Sequence, residues 1–236
     1  MKTFTAVLVL VLIGFAIWWW GGRSVQAPVV EDQTPVNLCF AKYKESADTG
    51  FQDKYTLRMT LAGDKASGEL KLLPAEKDSL VGKFEGTVSA VDATSMTRSV
   101  KSFWDTVGEG MTTKQELEII FGEGKANIGF GEMTDRGDGV YVYKDRTKVD
   151  YTFELTDTDC SELDERESVE QYLKKNIATL SPTAPVLGGN WYVVSTVLDI
   201  TKDAGTVTYE DGHVQEKRNL SYVLNEGGEV ESLTIE

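Results

Sequence analysis

VDYTFELTDTDCSELDERESVEQYLKKNIATL, residues 149–180, carries two periodicities in succession, and the change between them decides the fold. Val149, Tyr151, Phe153 and Leu155 alternate with Asp150, Thr152 and Glu154. Side chains of a strand point to opposite faces in turn, so this is a strand with one buried and one wet face. Past Cys160 the apolar residues fall at Val169, Leu173, Ile177 and Leu180, the spacing of a helical stripe. Glu162, Asp164, Glu165 and Glu167 lie early in this helix and Lys174 and Lys175 late, as its dipole prefers. Pro182 and Pro185 stop it.

Upstream, the alternation repeats. Tyr55, Leu57, Met59 and Leu61 form one such run; Phe84, Gly86, Val88 and Ala90 another; Leu117, Ile119 and Phe121, set between Glu116 and Glu118, a third. Turn sequences separate the runs: Ala62-Gly63-Asp64, Gly122-Glu123-Gly124, and Asp135-Arg136-Gly137-Asp138-Gly139. Eight or nine strands at this spacing suit an antiparallel barrel or sandwich. Downstream, four strands are expected at 191–200, 206–210, 213–224 and 230–235, with Asp211-Gly212 as a two-residue hairpin turn. The expected fold class is mainly β: an antiparallel β-barrel-like domain over 37–160, then a small α+β domain over 161–236, a helix plus a four-strand meander.

The N-terminus has a different character. Lys2 precedes the apolar run FTAVLVLVLIGFAIWWW, residues 4–20. As a helix it would reach about 26 Å, the short end of a bilayer span, and it exceeds the usual secretory apolar core. Trp18, Trp19 and Trp20 suit the membrane interface, where amphipathic rings sit among headgroups. An uncleaved anchor over 1–23 is favoured, with Lys2 cytoplasmic and the long acidic portion outside. Cleavage after Val25-Gln26-Ala27 is the alternative, disfavoured because Pro28 would follow the cut. Residues 24–36, rich in proline and polar residues, read as a linker.

The net charge of −14 would be repelled by a phosphate backbone, which excludes nucleic acid as a natural partner. The chain has one histidine and two cysteines, too few for a Cys/His zinc site. Cys39 and Cys160 stand at the first and last strands of the alternating region. Barrel closure would make those strands neighbours, and export would place the thiols where disulfides persist. A bridge is therefore expected; two unrelated buried thiols are the alternative.

Cys39-Phe40, Tyr55-x-Leu57-x-Met59, Glu76-Lys77-Asp78-Ser79-x-x-Gly82-x-Phe84-x-Gly86, Gly108-Glu109-Gly110-Met111 and Ile128-Gly129-Phe130-Gly131-Glu132-Met133 together resemble a group of uncharacterised bacterial envelope proteins. Many of that group look like lipoproteins with one small β-barrel-like domain. The resemblance implies an envelope location and no activity, so it assigns no functional residue. The present chain differs in having an apolar anchor and no lipobox.

No residue pattern demands catalysis, a metal or a cofactor. Glu132, Asp135 and Asp138 fall short of the six to eight oxygens calcium needs. Asp105, Glu109, Glu116 and Glu118 could pair as general acid and base, but with 38 acidic residues such pairs arise by chance. His213 reads as a turn residue, and Gly122-x-Gly124 and Gly129-x-Gly131 as hairpin glycines rather than a phosphate loop. Phe103 and Trp104 place one aromatic on each face of a strand, and either could face a ligand. The expected function is non-enzymatic binding of a small ligand or protein partner, through the barrel or the cleft between the two domains. A structural spacer or adhesion module is the rival, and an envelope hydrolase a distant third.

Overall fold

In a computed structural model, residues 34–236 apart from 76 and 109 are described. The anchor expected at residues 4–20, its tryptophans and most of the linker lie outside the described residues. Among the described residues no helix is long and apolar enough to cross a membrane.

The alternating runs become β1 (Val36–Glu45), β2 (Gln52–Ala62), β3 (Lys65–Leu73), β4 (Leu80–Val88), β5 (Arg98–Gly108), β6 (Met111–Gly122), β7 (Lys125–Phe130), β8 (Met133–Asp135), β9 (Val140–Tyr143) and β10 (Asp150–Thr158). Strands β1 to β7 each pair antiparallel with the next, β7 pairs with β10, and β10 returns to β1. The result is a closed eight-stranded antiparallel barrel. Closure removes the free edges that an open sheet would expose. The short β8–β9 hairpin is an addition to this ring; β9 runs parallel to β6, the one departure from the antiparallel pattern expected.

Eight strands enclose a space that side chains just fill. Phe40, Leu57, Leu70, Phe84, Trp104, Ile119, Ile128 and Leu155 lie within it, all nearly inaccessible to solvent. Glycines make room for the largest of them. A Cβ at Gly68 would lie 2.8 Å from the Phe84 ring, and one at Gly82 would lie 2.6 Å from Trp104 Nε1. These contacts are too close for any other residue, so two strand glycines, normally unfavourable, are set by packing.

The helix α1 (Cys160–Leu180) follows β10 directly, capped by Asp159, whose carboxylate accepts from the Ser161 backbone N–H. Val169, Leu173 and Ile177 pack on a consecutive antiparallel meander of β11 (Tyr192–Asp199), β12 (Ala204–Glu210), β13 (Gln215–Leu224) and β14 (Val230–Ile235). Trp191, Val207, Tyr209, Leu220 and Tyr222 complete this second core. One expectation is corrected here: Asp211 and Gly212 do not form a two-residue turn. Glu210 pairs with Gln215 and Asp211 donates its backbone N–H to the Val214 carbonyl, so the turn falls on Gly212 and His213; the Asp211 carboxylate accepts from the N–H groups of His213 and Val214 and, from outside the loop, of Val186.

Cys39 and Cys160 form a disulfide with their Cα atoms 5.2 Å apart. The barrel closes between β1 and β10 as the argument for the bridge required. Cys160, however, is the first residue of α1 rather than part of the last strand, because the Asp159 cap starts the helix one residue earlier than its apolar stripe indicates. The bond therefore ties the helix to the barrel wall, where Cys39, Ala41 and Leu163 form a third small cluster. Further along α1, Asp164, Glu167 and Glu170 present one carboxylate per turn to Arg58, Lys71 and Lys54 on the outer faces of β2 and β3. Lys54 also donates to Thr196 Oγ1 on β11 at 2.6 Å, so it joins barrel, helix and meander. Burial lowers its pKa, opposed by Glu170 beside it.

Candidate functional site

Phe103 and Trp104 are adjacent in β5 and end on opposite sides of the barrel wall. Phe103 faces outward, half-buried, with the Arg136 guanidinium 5.7 Å from its ring centroid. It lines an open groove of about 290 Å³ with Lys83, Glu85, Asp105 and Lys114. Lys114 and Asp105 pair at 3.0 Å across this groove. Every charge there is exposed, so nothing in the groove calls for a ligand.

Trp104 faces inward and is only 2% exposed. Among the described residues, its Nε1 is the buried side-chain polar atom that has no hydrogen-bond partner. Nearly all buried polar groups are paired, and leaving one unpaired costs roughly 1–3 kcal/mol. The indole ring lies beside an opening in the barrel wall. At one end of the barrel β6 parts from β7: their pairing stops at Ile119 and Ile128, and the start of β6 takes β9 as its neighbour at Lys114 and Gln115. The split leaves a recess of about 160 Å³, walled by Leu80, Trp104, Gln115, Glu116, Leu117, Ile128 and Phe130 and bounded by Met133 and Tyr143 of the β8–β9 hairpin. Nε1 sits against Gly82, the next inward position along β4 from Leu80. The wall is mostly apolar, as ligand sites are, with Gln115 and Glu116 as polar side chains, while Trp104 Nε1 itself is inaccessible to solvent.

The hairpin is held over this opening by a polar cluster. Tyr143 donates its backbone N–H to Glu116 Oε2 at 3.0 Å and its hydroxyl to the Gly129 carbonyl at 2.8 Å. Arg146, on a single 3-10 turn, Arg146–Lys148, donates to both Glu116 and Glu118. Tyr151 donates its hydroxyl to the second oxygen of Glu118. Burial pushes the Tyr143 hydroxyl up to about 12, so it stays protonated and remains a donor. Burial and the Glu118 hydrogen bond raise Tyr151 as well.

This cluster overturns one expectation. Glu116 and Glu118 lie on what the alternation reads as the wet face of β6, yet both are buried. The residues that cover them come from a segment remote in sequence, which local periodicity does not register. Glu116 holds the hairpin through the Tyr143 N–H, and Glu118 holds Arg146 and Tyr151 in the segment that follows it. The remaining candidates stay apart. Asp135 accepts from the Gly137 and Gly139 N–H groups, Asp138 pairs with Arg136, and Glu132 with Lys144. Glu109 lies outside the described residues, and His213 is exposed in its loop. Among the described residues no three metal-ligating side chains converge. Gly122 and Gly124 flank the tight β6–β7 turn, and no helix follows them.

The recess residues missed by sequence reasoning, Leu80, Gln115, Phe130, Met133 and Tyr143, come from five strands. Apart from Gln115, which gave none, their only sequence signal was aromatic or apolar character near strand ends. No protein-family model, curated protein or solved structure matches this chain, so its recess is defined by its own geometry.

Proposed function

We propose that this protein is a non-enzymatic, membrane-tethered extracytoplasmic binding protein whose ligand site is the mouth of the barrel. The observation that carries the reading is the mostly apolar recess left where β6 exchanges β7 for β9. The extracytoplasmic part rests on the apolar run at residues 4–20 and gains support from the Cys39–Cys160 disulfide, a bond that persists in oxidising compartments. The likeness to bacterial envelope proteins points the same way. The rival reading, a rigid spacer, draws on the filled barrel interior and the ion-paired seam along α1.

Xenon separates the two readings, because apolar cavities of roughly 150 Å³ admit it. Under xenon pressure the indole N–H resonance of Trp104 and the amides of Leu117, Ile128 and Phe130 should shift in ¹H–¹⁵N spectra. Unchanged spectra at these positions would leave the spacer as the better account.

A further inference from the structure

We infer that the crevice between α1 and the barrel wall is a second ligand site, which takes a small dicarboxylate at Arg166 and Lys174. The crevice shares no residue with the recess at the barrel mouth, so the inference stands apart from the reading of that recess.

The crevice has a volume of about 170 Å³. Its floor is Tyr43 of β1, Lys54 and Thr56 of β2, and Lys71 and Leu73 of β3. These positions alternate with core residues such as Leu57, Leu70 and Leu72, so their side chains stand on the outside of the barrel. Its roof is one side of α1, from Leu163 to Lys174.

Charge sets the sign of the ligand. Lys54, Lys71, Arg166 and Lys174 line the crevice against two carboxylates, Glu167 and Glu170. Both carboxylates are already taken, Glu167 by Lys71 and Glu170 by Lys54. Glu69, just outside, also reaches Lys71, at 3.1 Å. Among the described residues no carboxylate pairs with Arg166 or Lys174. Burial does most to lower the Lys54 pKa and Glu170 opposes it, while the charges of Lys174 and Arg166 lower it further. Within a chain of net charge −14, the crevice is a local excess of positive charge.

Hydrogen-bond donors are in place as well. Arg166 is fixed by neutral groups: it donates Nη1 to the Leu198 carbonyl at 2.9 Å, and its guanidinium lies 4.4 Å from the Tyr43 ring centroid. Its position is thus set while its charge is left for a carboxylate, which a guanidinium fits well. The Tyr43 hydroxyl has no hydrogen-bond partner among the described residues. Burial pushes it up to about 12, so it remains a donor. Gln171, exposed on α1 between the two cations, adds an amide.

Length and volume narrow the class. Arg166 and Lys174 stand eight residues apart, a rise of about 12 Å along α1, so an extended ion with a charge at each end meets both with less side-chain reordering than a compact one. Leu73 and Leu163 offer apolar surface to its carbon chain. The volume is close to that of a cavity that holds benzene, which suits an acid of about four carbons.

The test titrates succinate, succinamate, succinamide and sulfate into the full chain in phosphatidylcholine nanodiscs by calorimetry. Empty nanodiscs serve as blanks, and ionic strength is constant because salt screens exposed charges. The first three probes match in size and differ by one charge each. Succinate should bind tightest, succinamate roughly fivefold more weakly, and succinamide without measurable heat. Sulfate, a dianion without the two methylene groups, should bind roughly tenfold more weakly than succinate. Lys174→Gln breaks no ion pair of the folded protein. It should weaken succinate about fivefold and bring it level with succinamate. Lys175→Gln removes the same charge outside the crevice and should change succinate by less than about 1.5-fold. Tyr43→Phe keeps the ring under Arg166 and should weaken succinate roughly tenfold.

Equal affinity for succinate and succinamate in the wild-type protein, or sulfate binding as tightly as succinate, would overturn the dicarboxylate class. Equal effects of Lys174→Gln and Lys175→Gln, or no saturable binding of succinate up to about 20 mM, would overturn the site itself.

Discussion

At the scale of single residues, the informative positions are those where a side chain breaks the pattern of its own strand. Glu116 and Glu118 do so on β6. Removing one partner of a fully buried ion pair usually costs about 3–5 kcal/mol, because the other charge is left uncompensated. The Arg146 side chain is 53% exposed, so solvent screens part of that charge. Arg146→Ala is accordingly expected to destabilise by about 2–3 kcal/mol, read as a lower urea midpoint with unchanged slope. Glu116→Gln and Glu118→Gln added to that variant should recover more than half of the loss, because the stranded charges are then gone. If the triple variant is no more stable than Arg146→Ala, the carboxylates are not what makes the arginine necessary. Trp104 is the complementary case, a residue that follows its strand's pattern and still leaves a polar atom unpaired.

At the scale of elements, α1 is the piece on which both sheets depend. Its apolar stripe belongs to the meander core and its acidic stripe to the barrel wall, while the disulfide fixes its first turn. The ion pairs along the seam are partly exposed, and each contributes little alone. The covalent tie matters more. It links residues 121 apart, and restricting so long a loop in the unfolded chain stabilises by about 4–5 kcal/mol on the chain-entropy estimate. Cys39→Ser with Cys160→Ser should therefore lower stability by up to about that amount. Near-ultraviolet signals from Trp104 in the barrel and Trp191 in the meander should then unfold at separate midpoints. Coincident transitions at the wild-type midpoint would show that the bond adds nothing to the seam. Two free thiols in the unfolded, unreduced, exported protein would deny the bond itself.

At the scale of the whole molecule, residues 34–236 form one compact unit with two main hydrophobic cores. β1 begins at the end of the barrel opposite the mouth, since Val36 pairs with Leu61 while Glu45 pairs with Gln52. Protease added to intact spheroplasts of an expressing bacterium should digest the linker and release the folded part. Full protection would place that part in the cytoplasm and refute the proposed orientation. Release of the folded part into the medium without protease would favour the cleaved signal.

Much of this architecture is written in local pattern. Alternation at Tyr55–Leu61 and Val149–Leu155 specifies strands with one buried face, and the four-residue spacing of Val169, Leu173 and Ile177 specifies a helix, because burial selects side chains at the period of the backbone. The pairing of Cys39 with Cys160 followed from closing the first strand on the last. The tertiary structure alone decided the rest. Whether Trp104 or Phe103 faces inward depends on register around the ring, and the burial of Glu116 and Glu118 depends on a hairpin that returns from residues 133–146. The recess exists because β6 exchanges β7 for β9 partway along its length. Such an exchange is a choice between backbone partners remote in sequence, and backbone hydrogen-bonding groups are alike whatever side chains they carry, so local periodicity leaves no trace of it.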